Sequence, residues 1–210
     1  MKKLLILLFS IFFLSSPSVF ADDISDFQIE GISIGDSLLD YMTEEEILEE
    51  IERTKDRYLH LSEPNKYADI VIKKKFNTYN LLQFLIKNNS TNQYITNINE
   101  KYTILALRGH INYIEDFDSC LKKRDEIEEV VTKMFPNAQK QKGVYDSAID
   151  SSGESIVDGI YLTFNDSGND IELSCANYKE TLRIKMKLGE GLDVSIRTKE
   201  IISWLNTRYR

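Results

Sequence analysis

The chain has only two cysteines in 210 residues, Cys120 and Cys175. Each lies in a stretch whose pattern fixes its direction. In "SCLKKRDEIEEVVTKMF" (119–135) the spacing predicts a helix, with Cys120, Ile127, Val131 and Met134 on one face. In "IELSCANY" (171–178) Ile171, Leu173 and Cys175 alternate as on a strand, so Cys175 shares a face with two apolar residues. Both sulfurs are therefore directed at the core, and a bond between them would staple one helix to one sheet. On the chain-entropy view, closing that loop stabilises by at most about 4 kcal/mol. Two unpaired buried thiols fit the same pattern, because sequence does not report proximity.

The bridge requires an oxidising compartment, and the first residues predict one. Met1-Lys2-Lys3 is followed by an apolar run over residues 4–14, broken only by Ser10, and then by "SSPSVFA". This is the pattern of a secretory signal peptide over residues 1–21, cleaved between Ala21 and Asp22. The run is shorter than the ~20 apolar residues of a membrane span. No cysteine follows the junction, which argues against a lipoprotein. The chain is expected to be periplasmic or secreted, with residues 22–210 forming a single domain.

The balance of charge excludes some partners. The chain carries 26 basic and 34 acidic residues, a net charge of −8. Loss of the leader removes Lys2 and Lys3 and no acid, giving −10. Neither nucleic acid nor anionic lipid is an expected partner for such a chain. Lys73-Lys74-Lys75 and Lys122-Lys123-Arg124 are read as a solvated strand edge and a solvated helix face.

Along the chain, Phe27 and Ile29 alternate with polar residues, and the phase slips after Gly31, predicting a half-exposed strand with a bulge or tight bend. "SLLDYM" reads as a helical turn. Thr43 and Glu46 form a capping box that starts a helix over 43–54. Its glutamates are a solvated face favoured by the helix dipole rather than catalytic carboxylates. Strands are expected in "YADIVIKKKF", "LLQFLIKNN", "NQYITNI" and "YTILALRGHINYI", the last broken at Gly109. "DSSGES" (150–155) is a turn, and "GIYLTFNDSGNDIELSCANY" (159–178) is a hairpin whose acidic tip misses the calcium-loop spacing. The chain closes with a strand, "GLDVSIRT", and a helix, "KEIISWLNTRY", with Trp204 as a core anchor. Neighbouring strands with helices at the ends and middle predict an α+β fold, an antiparallel sheet with helices packed mainly on one face. His60 and His110 have no ligand spacing, so no metal site is expected, and no cofactor motif is present.

"FQIEGISIGDSLLDY" (27–41) contains two hydrolase-like words. Gly31 to Gly35 spell G-x-S-x-G around Ser33. Gly35-Asp36-Ser37-Leu38 resembles the nucleophile block of the GDSL (SGNH) esterase family, which would make Ser37 a nucleophile. That family also carries a Gly-x-Asn-Asp block and a C-terminal Asp-x-x-His pair. Here Gly168-Asn169-Asp170 lacks the intervening residue, no histidine follows His110, and neither histidine has an Asp three residues before it. A serine hydroxyl without a positioned base does not attack. The motif is therefore read as coincidental, and a serine esterase acting through Ser37 is the alternative.

A second resemblance covers most of residues 27–205. "IGDSLLDY" followed by an acidic helix, "YTILALRGHINYIEDFDSC", "GIYLTF" and "LDVSIRTKEIISWL" are similar to an uncharacterised family of small exported proteins of marine bacteria, in which a cysteine at each of these two places is usual. The resemblance implies one domain and a Cys120–Cys175 bridge, and it implies no chemistry. Residues 90–99 depart from it. The expected role is non-catalytic binding or part of the cell envelope, with ligand, partner and oligomeric state unspecified.

Overall fold

The computed structural model describes residues 24–55, 66–73, 76–88 and 101–208. The expected leader with Ala21 and Asp22, His60, Lys74, Lys75 and the strand expected over residues 92–98 lie outside them. The elements are α1 (Glu44–Thr54), β1 (Tyr67–Ile72), β2 (Leu81–Lys87), β3 (Ile104–Asn112), α2 (Phe117–Met134), β4 (Gln139–Asp146), β5 (Ile156–Thr163), β6 (Asp170–Asn177), α3 (Glu180–Met186), β7 (Gly191–Arg197) and α4 (Lys199–Arg208).

The fold is mixed α+β. Seven strands form one sheet in the order β1-β2-β3-β7-β6-β5-β4, and every neighbouring pair is antiparallel. Two three-strand meanders, β1-β2-β3 and β4-β5-β6, are joined by the last strand, which enters between β3 and β6. Such an insertion buries β7 on both edges, and Leu192, Val194 and Ile196 are all fully buried. No helix among the described residues is long and apolar enough to cross a membrane.

Side chains alternate between the faces of the sheet. One face presents Leu82, Phe84, Leu107, Ile160, Leu173, Cys175 and Val194, which merge with Ile47 of α1 and Cys120 and Val131 of α2 into the main core. α1 begins with the capping box read from the sequence: Thr43 and Glu46 each bond the other's backbone N–H. The other face carries a smaller cluster in which Ile201 and Trp204 of α4 meet Tyr67, Leu105 and Ala106. α4 thus packs on the face opposite α1 and α2. Two residues of that cluster owe their shared direction to a bulge: Leu85 pairs with Ala106 and Ile86 with Ile104, leaving Leu105 as the extra residue.

The bridge is present. Cys120 and Cys175 are joined, with Cα atoms 6.0 Å apart, and both are fully buried.

Several local expectations are corrected. The tight bend expected at Gly31 is present, as a two-residue turn at Glu30 (φ 55°) and Gly31 (φ 80°), but it does not lie in a half-exposed strand. Ile29 and Ile32 exchange backbone bonds of 3.0 and 3.1 Å across it, so both enter the core. β3 runs unbroken through Gly109, where the ring of Tyr79 lies over the place a Cβ would occupy. Arg124, read as part of a solvated face, is buried and pairs with Asp158 at 2.6 Å. β4 and α3 have no counterpart in the sequence reading; both are mostly exposed and lack an apolar rhythm.

Candidate ligand-binding depression

Beside α4, the second face of the sheet presents mainly polar side chains. Alternation places Gln83, Arg108, Ser195 and Glu172 side by side on four adjacent strands. The next row is Leu85, Ala106, Arg197 and Asp170. All of these but Asp170, together with Leu107, Asp193 and Leu205 of α4, line a depression of about 310 Å³. It sits at the lower end of the size range for small-molecule sites, roughly 300–1,000 Å³. One wall, Leu85, Ala106 and Leu205, is apolar, and the floor is charged.

The two guanidinium groups in it differ. All three nitrogens of Arg197 are engaged: Nε and Nη2 donate to the two carboxylate oxygens of Asp170 at 2.8 and 2.7 Å, and Nη1 lies 2.6 Å from Glu172. Burial would lower its pKa, but the two carboxylates outweigh burial and raise it. Nearby, the phenol of Tyr161 is pushed up to about 12 by burial first and by the Glu172 carboxylate second. Among the described residues Arg108 has one ion pair, Nη1 to Asp193 at 3.5 Å. Its Nε is buried with no hydrogen-bond partner among the described residues, although its side chain is 40% exposed. A guanidinium offers five donors, so Arg108 is the cation with capacity left for a ligand.

His110 also lies on this face. Nδ1 is 2.7 Å from Asp193 Oδ1, and Nε2 is 3.1 Å from Asn112 Oδ1. A carboxylate-backed imidazole is the orienting half of a catalytic triad. Ser37, however, is occupied elsewhere. Its Oγ donates to the carbonyl of Lys101 at 2.7 Å and accepts from Leu39 N–H at 3.3 Å, capping the 3₁₀ turn Leu38–Asp40. Ser37 bridges Thr103, and His110 is seven residues further along the same strand, about 23 Å away at the strand rise. Ser33 is likewise engaged, donating to the carbonyls of Ser25 (2.6 Å) and Phe27 (3.3 Å). Asp36 accepts from Ser33 N–H and from the hydroxyl of Tyr41. The hydrolase-like words thus spell a series of turns tied down by their own side chains.

Among the described residues no group of three or more His, Cys, Asp or Glu is placed to hold a metal ion. The polar residues of the depression do not stand out in the sequence, where the apolar phase of each strand is the stronger pattern. The opposite phase, Gln83 in β2, Arg108 in β3 and Asp193, Ser195 and Arg197 in β7, is the signal that marks them. No family model, no curated protein and no solved structure matches this chain.

Proposed function

We propose that this chain is an exported protein, periplasmic or secreted, that binds a small molecule rather than transforming one. Its site is the depression beside α4, on the face of the sheet away from α1 and α2. The observation that carries this reading is Arg108: a strand-borne guanidinium that has, among the described residues, one long ion pair and a buried, unbonded Nε, beside an apolar wall. Burying an unpaired N–H costs about 1–3 kcal/mol, a cost that an anionic ligand with a short apolar portion would relieve. The disulfide supports the export, since such bonds persist in oxidising compartments.

The test is an amide NMR titration with butyrate and hexanoate, with their neutral amides as controls. The carboxylates are expected to shift the signals of Arg108, Ser195 and Leu205, with loss of the effect in Arg108→Gln. Equal shifts from the amides, or none from any of the four, would overturn the reading. In the same preparation a fluorophosphonate is expected to leave Ser37 unlabelled; labelling abolished by Ser37→Ala would establish the esterase instead.

A further inference from the structure

The sheet has two outer strands, and the chain treats them differently. On β1, two groups of the outward edge are met by side chains of α1: Thr54 Oγ1 donates to the Asp69 carbonyl at 2.5 Å, and Val71 N–H donates to Glu50 Oε2 at 3.3 Å. On β4 nothing equivalent occurs. Among the described residues, the backbone of residues 139–146 makes no hydrogen bond other than those to β5. β4 is eight residues long, pairs with β5 without a bulge, and exposes Val144 (62%) and Tyr145 (43%). A long regular edge is a template for another strand.

Lysines on an edge ordinarily repel a second strand. Here both are drawn toward α2, with Lys140 and Lys142 bonding the two oxygens of Glu128 at 3.0 and 2.6 Å. That leaves β4 close to neutral and self-complementary. An antiparallel two-fold pairing centred on Gly143 sets Lys140 opposite Asp146 of the second copy, and Asp146 opposite Lys140, on the same side of the sheet. It also sets Lys142 opposite Val144 and Gln141 opposite Tyr145. Asp146 is exposed, with no ion pair among the described residues, so it is available. Centring one residue earlier would set two Lys142 ammonium groups face to face. From these observations we infer that the chain pairs with a second copy of itself through β4. The product is a continuous fourteen-stranded sheet, closed by the two-fold axis so that growth stops at the dimer because β1 is capped.

Sedimentation velocity on the purified chain across the micromolar range tests this, together with amide exchange at low and high concentration. The expected result is a reversible monomer–dimer equilibrium, with protection rising at residues 139–146 as concentration rises. Asp146→Lys should weaken the dimer by tenfold or more, and adding Lys140→Asp to that variant should restore it. A chain that stays monomeric throughout overturns the inference, as does a dimer indifferent to Asp146→Lys. So does a dimer whose β4 amides gain no protection, since it would use another surface.

Discussion

Glu128 lies midway along α2 on the side that meets the sheet, 8% exposed, where a carboxylate is costly unless paired. Burial pushes its pKa up, but the ammonium groups of Lys142 and Lys140 outweigh burial and hold it below the ordinary glutamate range. The folded value is thus lower than the unfolded one, near 4.5. It follows that the ionised group contributes stability at every pH above 4.5, and that this is lost as pH falls through the folded value. Both lysines are about half exposed, so the contribution is discounted to about 1 kcal/mol. Glu128→Gln should lower the urea midpoint at neutral pH, and the gap to the parent should close as pH is taken down to about 3. A gap of constant size across that range would show that the charge is not what matters. Neither Glu128 nor Arg124 was legible as buried, because helical periodicity counts both as polar. What draws them inward is Lys142, Lys140 and Asp158, on strands that follow α2 in the chain.

At the scale of elements, legibility tracked burial. The capping box at Thr43 and Glu46 marked the start of α1, and alternating apolar residues marked β1, β2, β6 and β7. β4 reads "QKQKGVYD" and gave no signal, since an edge strand with most of its side chains in water has no face to pattern. α3 buries none of its side chains and was silent for the same reason. The cysteines were the most informative pair: helical phase on one and strand phase on the other correctly placed α2 on the β6 face. Replacing both by alanine should cost about 2–4 kcal/mol in denaturant unfolding while leaving the far-ultraviolet spectrum intact. Because both residues are 0% exposed, reductant should open the bridge only once the chain unfolds. The reduced, unfolded chain should then be heavier by two hydrogens. An unchanged mass would remove the bridge.

For the molecule as a whole, the decisive step is the entry of β7 between two meanders, which no local pattern announces. β7 pairs with β3 over residues 106–112 and with β6 over residues 170–176, so its place depends on partners far apart in the chain. Once it is placed, Thr198 turns the chain directly into α4. The hairpin tip helps to fix that turn, since Asn169 accepts the Lys199 N–H at 2.9 Å. α4 then falls on the second face, where Trp204, the only tryptophan, packs at 4.7 Å between ring centroids from Tyr67. It is the anchor expected from sequence, on the face opposite α1 and α2. This second cluster is small, so its loss should be regional. Trp204→Ala removes the largest side chain under the helix and should cost about 3–5 kcal/mol. Amide protection should fall mainly in α4, β1 and the bulged start of β3, while α2, β5 and β6, held by the main core and the disulfide, keep theirs. Leu205 leaves the wall of the depression when α4 loosens, so hexanoate binding should weaken in the same variant, more than butyrate binding does. A uniform loss of protection over the whole sheet would instead mean that the two faces unfold as one unit. The depression would then not be separable from the core that supports it.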